Sequence, residues 1–117
     1  MEGSSPRAMV IIPTYDELAN VRSLIPKLLT IDPRIEVLVV DDDSPDGTGA
    51  YVEELSRQIP RVHCLRRPRK MGLGSAYRDG FRFALDRDVD LVFEMDADFS
   101  HDPDAIPQFI EAAEDAD

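Results

Sequence analysis

Glu36-Val37-Leu38-Val39-Val40-Asp41-Asp42-Asp43-Ser44-Pro45-Asp46-Gly47-Thr48 holds the unit from which the fold is read. A nearly continuous run of apolar, β-branched residues ends abruptly in three acids. A turn signal, Asp46-Gly47, follows, and Ser44, Asp46 and Thr48 are each suited to cap a helix beginning there. From Thr48 to Ile59, Tyr51, Val52, Leu55 and Ile59 fall on one helical side. Strands that are apolar at almost every position suit a parallel sheet covered on both faces.

The same strand-helix alternation extends in both directions. Met9-Val10-Ile11-Ile12 reads as a buried strand that Pro13 stops. Leu18, Val21, Leu24, Ile25, Leu28 and Leu29 then form an apolar helical face, which Pro26 is expected to end or kink. Arg61–Leu65 reads as a third strand, Leu73–Leu85 as a helix, Asp90–Met95 as a fourth strand and Ala105–Ala113 as a last helix. Four strand-helix units predict an α/β doubly wound sheet with helices on both faces. Residues 1–8, small and polar, read as a flexible N-terminus, and 9–117 as one domain. Ligands of such sheets bind beyond the carboxyl ends of the strands. This singles out Pro13–Glu17, Asp41–Asp46 and Asp96–Ser100.

Composition narrows the function. The 117 residues carry 13 Lys+Arg against 24 Asp+Glu, a net charge of −11, which argues against nucleic acid as a partner. A nucleotide is compatible with that balance, because a bound divalent cation reverses the local sign. The single cysteine, Cys64, rules out an internal disulfide and a Cys-rich zinc site, and fits a cytoplasmic setting. No apolar run reaches the ~20 residues that span a bilayer, and the first residues lack a signal-peptide core.

Each strand end admits more than one role. Asp96 and Asp98 repel each other unless something compensates them. A hard divalent cation does so with oxygen ligands, and capping of the next helix is the alternative. The acids Asp41–Asp43 suit hydrogen bonds from a ribose or base, while the residues after them suit the turn. Tyr15 suits stacking on a base or roofing the core, and Thr14 or Asp16 capping of the first helix. Arg66-Arg67-Pro68-Arg69-Lys70, the only basic cluster, precedes Met71-Gly72-Leu73-Gly74-Ser75-Ala76. It suits phosphate contact or a solvated turn. Cys64 reads as core.

Taken in order, Val10–Glu17, Val39–Thr48, Gly72–Ala76 and Met95–His101 resemble the GT-A type inverting glycosyltransferases, most of all the dolichyl- or polyprenyl-phosphate mannose synthases. The resemblance implies a Rossmann-like nucleotide-sugar-binding sheet, a GDP-mannose donor, a dolichyl or polyprenyl phosphate acceptor, and Mg²⁺ or Mn²⁺ as cofactor. It places Pro13, Tyr15, Glu17, Val40 and Asp42 at the nucleoside, and Asp96, Ala97 and Asp98 at the diphosphate. Asp96 and Asp98 are then the catalytic pair and, with Ser100, the metal contacts. Relatives continue beyond the Asp-Ala-Asp helix, so the resemblance implies a donor-binding part incomplete at its C-terminus, with little turnover of its own. A peripheral position at a membrane face would come through that further part. Another GT-A enzyme with a UDP-glucose donor, or a non-catalytic nucleotide- or metal-binding module, are the alternative readings.

Overall fold

The computed structural model describes residues 6–98 and 102–115. Four strands, β1 (Ala8–Thr14), β2 (Ile35–Asp41), β3 (Val62–Arg66) and β4 (Leu91–Glu94), form one sheet in the order β3-β2-β1-β4. All three pairings are parallel. Helices α1 (Leu18–Ile31), α2 (Thr48–Gln58) and α3 (Leu73–Leu85) connect them, and a 3-10 turn, Pro103–Ala105, leads into α4 (Ile106–Asp115). The α/β architecture with helices on both faces is the one expected from the sequence.

Side-chain alternation divides the core in two. Val10 and Ile12 of β1, with Val37 and Val39 of β2, face α1, α2 and α4 through Val21, Leu24, Leu28, Val52, Ile106 and Ile110. Met9, Ile11, Leu38 and Val40 face the other way, where Ala76 and Ala84 of α3 pack against them. Every residue of β2 is buried. This is the pattern of a strand covered on both faces. Helix α3 approaches closely because Gly80 has no side chain: a Cβ there would lie 2.6 Å from Ile11 Cγ2.

Three local expectations are corrected. Pro13 does not stop β1, which continues to Thr14 opposite Asp41. Ala8 N–H and Thr14 C=O face β2, and Ile11 C=O faces β4, so the nitrogen of Pro13 also turns to the β4 side. Pairing with β4 ends at Ile11 opposite Glu94, so the missing N–H breaks no ladder bond. Of the two outcomes expected at Pro26, an end to α1 is excluded, since the helix runs on to Ile31. Arg22 and Pro26 both lie on the exposed face, so the lost bond falls on the solvent side. Ala8, expected in a flexible terminus, is the first residue of β1, and Arg7 before it is tied to the sheet. The Arg7 N–H donates to Asp90 Oδ2 (2.7 Å), its guanidinium pairs with Glu36, and Ala8 is fully buried.

The sheet is built outward from β1 to β3 and then reverses, placing β4 on the opposite side of β1. The reversal opens a crevice beyond the carboxyl ends of β1 and β4. Because α3 seats against β1 through Gly80, Gly80→Ala is expected to destabilise the protein by about 1–3 kcal/mol through overpacking, measured by urea unfolding.

Candidate nucleotide-binding site

At that crevice lies a cavity of about 300 Å³, bordered by Pro13, Thr14, Tyr15, Glu17, Asp42, Lys70, Gly72, Leu73, Ala76, Asp96, Ala97 and Asp98. It draws on the loops after all four strands. Of the residues expected at the site, Pro13, Tyr15, Glu17, Asp42, Asp96, Ala97 and Asp98 are brought together here. Val40 is not: its side chain is fully buried in the core beneath α3. The alternation of β2 turns it to that face, one residue before the strand reaches the crevice. Ser100 lies outside the described residues, as do Phe99 and His101.

The three consecutive acids have three different fates. Asp41, with no exposure, accepts from Thr14 Oγ1 (2.6 Å), Ser44 Oγ (2.6 Å) and Ser44 N–H (3.0 Å), tying β1 to the β2–α2 loop. Asp42 borders the cavity. Asp43 is exposed and takes a left-handed conformation, φ 56°.

Arg67 holds Asp42. Its Nε donates to Oδ1 (2.6 Å) and its Nη2 to Oδ2 (3.0 Å), a side-on ion pair. The other N–H groups reach Ser75 Oγ (2.7 Å), Asp79 Oδ2 (3.0 Å) and Gly72 C=O (3.2 Å). All five donors of a guanidinium are therefore used, on a residue only 6% exposed. The Met71 N–H adds a third bond to Asp42, at 3.0 Å on Oδ2. One acceptor position on Oδ1 remains for a ligand. Burial pushes the Asp42 carboxyl up, yet the bonds from Arg67 and Met71 outweigh it and hold it below the usual carboxylate range.

The loop carrying Tyr15 and Glu17 is fixed from across the sheet. The N–H groups of Asp16, Glu17 and Leu18, which open α1, donate to Ser44 Oγ (2.9 Å), Thr48 Oγ1 (3.1 Å) and Asp46 Oδ2 (3.1 Å). Neither Thr14 nor Asp16 caps that helix, contrary to the sequence expectation. Thr14 is engaged by Asp41, and Asp16 sits at φ 55° with its carboxylate accepting from Asp46 N–H (3.3 Å). Asp46 also accepts from Thr48 N–H (3.0 Å), so the β2–α2 loop serves two helices.

On the opposite wall, Tyr77 of α3 donates its hydroxyl to Asp96 Oδ1 (3.3 Å). Burial, then the charge of Asp96, pushes the Tyr77 hydroxyl up to about 12, so it remains a donor. Asp96 and Asp98 offer hard oxygen ligands suited to Mg²⁺ or Mn²⁺. Among the described residues no group of three or more His, Cys, Asp or Glu converges as a metal site. The pair would thus supply part of a coordination shell, with water or phosphate oxygens completing it. Cys64, read as core, is half-buried with its thiol pushed up to about 12 by burial, which suits packing rather than nucleophilic chemistry.

Two supporting residues were not singled out in the sequence. Arg67 stood within the basic cluster, and Arg66 rather than Arg67 directly follows the apolar run Arg61–Leu65, so nothing in the pattern marks it. Tyr77 stood on the apolar stripe of α3, and nothing in the pattern marks its hydroxyl.

With this geometry in view, comparison with known proteins is decisive. Residues 9–117 match the model of glycosyl transferase family 2. The chain belongs to glycosyl transferase family 2. It is 46% identical over 111 residues to an undecaprenyl-phosphate mannosyltransferase of Micrococcus luteus, covering 95% of this chain and 46% of that protein. It is 44% identical over 109 residues to a polyprenol monophosphomannose synthase of Mycolicibacterium smegmatis, covering 92% and 41%. A dolichol-phosphate mannosyltransferase of Pyrococcus furiosus is 42% identical over 108 residues, covering 91% and 30%. Among solved structures, a mannosyltransferase of Pyrobaculum calidifontis in complex with GDP-Man and Mn²⁺ superposes with a TM-score of 0.66 at 26% identity. The match covers 82% of this chain and 28% of that one. The chain thus spans less than half the length of these family relatives.

Breaking the buried pair leaves a carboxylate without its partner. Arg67→Met is expected to cost about 3–5 kcal/mol in urea unfolding at pH 7. Asp42 has a lowered folded-state pKa, so its stabilisation is present above the unfolded value and lost as pH falls through the folded one. The gap between wild type and variant is therefore expected to narrow below about pH 4.

Proposed function

We propose that this chain is the donor-binding part of a metal-dependent, inverting mannosyltransferase that passes mannose from GDP-mannose to a polyprenyl or dolichyl phosphate. The observation that carries the reading is the Asp96-Ala97-Asp98 turn at the wall of the switch-point cavity, in a chain 42–46% identical to polyprenyl- and dolichyl-phosphate mannosyltransferases. The GDP-Man and Mn²⁺ held by the Pyrobaculum mannosyltransferase support the same donor and a divalent ion.

The residues divide the work. Tyr15, 39% exposed at the cavity edge, offers a ring face to the base. Pro13 and Thr14 form the floor, where β1 runs out beneath the cavity. Glu17, steadied by Asn20 Nδ2 (2.8 Å), and Asp42, through its remaining acceptor position, take N–H or O–H donors of the nucleoside. Asp96 and Asp98 would hold Mg²⁺ or Mn²⁺ at the diphosphate end, with Asp96 oriented by Tyr77. When bound, that ion supplies Lewis-acid stabilisation of the departing nucleoside diphosphate. The acceptor phosphate is anionic near neutral pH, so its attack requires no strong general base. Single displacement at the anomeric carbon inverts it. No helix of the described residues is long and apolar enough to cross a membrane.

Calorimetry tests the reading. GDP-mannose is expected to bind in the presence of Mn²⁺, and Asp96→Asn or Asp98→Asn to weaken that binding about tenfold or more. Equal affinity for UDP-glucose, or binding that ignores the metal, would overturn it.

A further inference from the structure

The cavity lining is unevenly charged. Glu17, Asp42, Asp96 and Asp98 are acidic, and among the described lining residues Lys70 alone is cationic. Arg67 already matches Asp42. A divalent ion at Asp96 and Asp98 is matched by those two carboxylates. The diphosphate of a nucleotide sugar brings about two further negative charges into a confined space, where they require cationic or N–H partners.

Lys70 is placed for that task, its charge already felt by the Asp42 carboxyl. Its Nζ lies 4.7 Å from the ring centroid of Tyr15, a cation–π contact joining the loop after β3 to the loop after β1. Lys70 is exposed, and such a contact at an exposed site is weak, worth about as much as a surface ion pair. The backbone beside it is anchored. The Met71 N–H is bonded to Asp42, the Gly72 carbonyl accepts from Arg67, and Gly72 takes φ 96°, a left-handed conformation suited to glycine. The flexible four-carbon stem of Lys70 thus moves from a fixed base.

We propose that Lys70 is a cation that neutralises the donor diphosphate, and that its contact with the Tyr15 ring is a resting position given up when the nucleotide enters. Release of the ring face frees Tyr15 for the base in the same movement, so phosphate and base recognition are coupled through one side chain. The inference rests on the nucleotide-sugar reading of the cavity.

The test uses GDP with Mg²⁺, and guanosine as the probe without phosphates. Lys70→Met is expected to weaken GDP binding about tenfold or more while guanosine binds no less tightly, its ring face being already clear, and Lys70→Arg to restore most of the loss. In the free wild-type protein the Lys70 ε-methylene proton signals are expected upfield, shielded by the Tyr15 ring, and to return downfield on saturation with GDP and Mg²⁺. Thermal unfolding checks that the variants fold, as an exposed loop position permits. Unchanged GDP affinity in Lys70→Met, or methylene signals that do not move, would overturn the role of Lys70 while leaving the cavity's reading intact. Failure of the wild type to bind GDP with Mg²⁺ would overturn both.

Discussion

Arg67 is the interaction on which the site's shape depends. A guanidinium is planar and rigid, and all of its N–H groups are directed here to groups on separate pieces of chain: the end of β2, the turn before α3, and the first two turns of α3. Burying a charge without such pairing would be prohibitive. With it, the loops after β2 and β3 hold one arrangement, and Asp42 is presented at the cavity wall as an ionised acceptor. The acidity of the chain as a whole makes this a requirement. Four carboxylates border one cavity, and the one nearest the core is neutralised by the protein itself.

A second constraint comes from the β2–α2 loop. The amides of Asp16, Glu17 and Leu18 at the entry to α1 are left unpaired by the residues before them, and Ser44, Asp46 and Thr48 of the neighbouring β2–α2 connection satisfy them. Side-chain caps are commonly local. Here they are long-range, so the position of Tyr15 and Glu17 depends on the folding of the neighbouring strand-helix unit. The site is therefore assembled from the sheet outward: parallel register sets the strand ends, the strand ends set two interlocked loops, and these loops set the Tyr15 and Glu17 side of the cavity. The Asp96-Ala97-Asp98 turn enters from β4 across the point where strand order reverses.

Much of this was legible in the sequence. The four strands and four helices were read from apolar runs and helical spacing, and the acids at strand ends marked the crevice. What escaped was set by tertiary contacts. Whether Pro13 ends a strand depends on which neighbour its nitrogen faces and on where that neighbour's pairing stops. Pro26 is tolerated because its turn of helix faces solvent. Val40 was placed at the nucleoside by the family resemblance, and β2, buried on both faces, carries no period by which to tell core from crevice. Arg67 was grouped with Arg66, Arg69 and Lys70 as one basic cluster. A linear pattern cannot distinguish an arginine folded into a carboxylate pocket from one left on the surface.

The diphosphate end of the site is proposed to lie at Asp96 and Asp98, where a divalent ion would join protein and nucleotide. Paramagnetic broadening of backbone amide signals by Mn²⁺ in the presence of GDP tests it most directly. The signals of Asp96, Ala97 and Asp98 are expected to broaden first, those of Thr14 and Gly72 to follow at higher Mn²⁺, and those at the opposite end of the sheet, around Glu36 and His63, to stay sharp. Broadening centred instead on the acidic stretch Asp41–Asp46, with Asp96 and Asp98 unaffected, would contradict it.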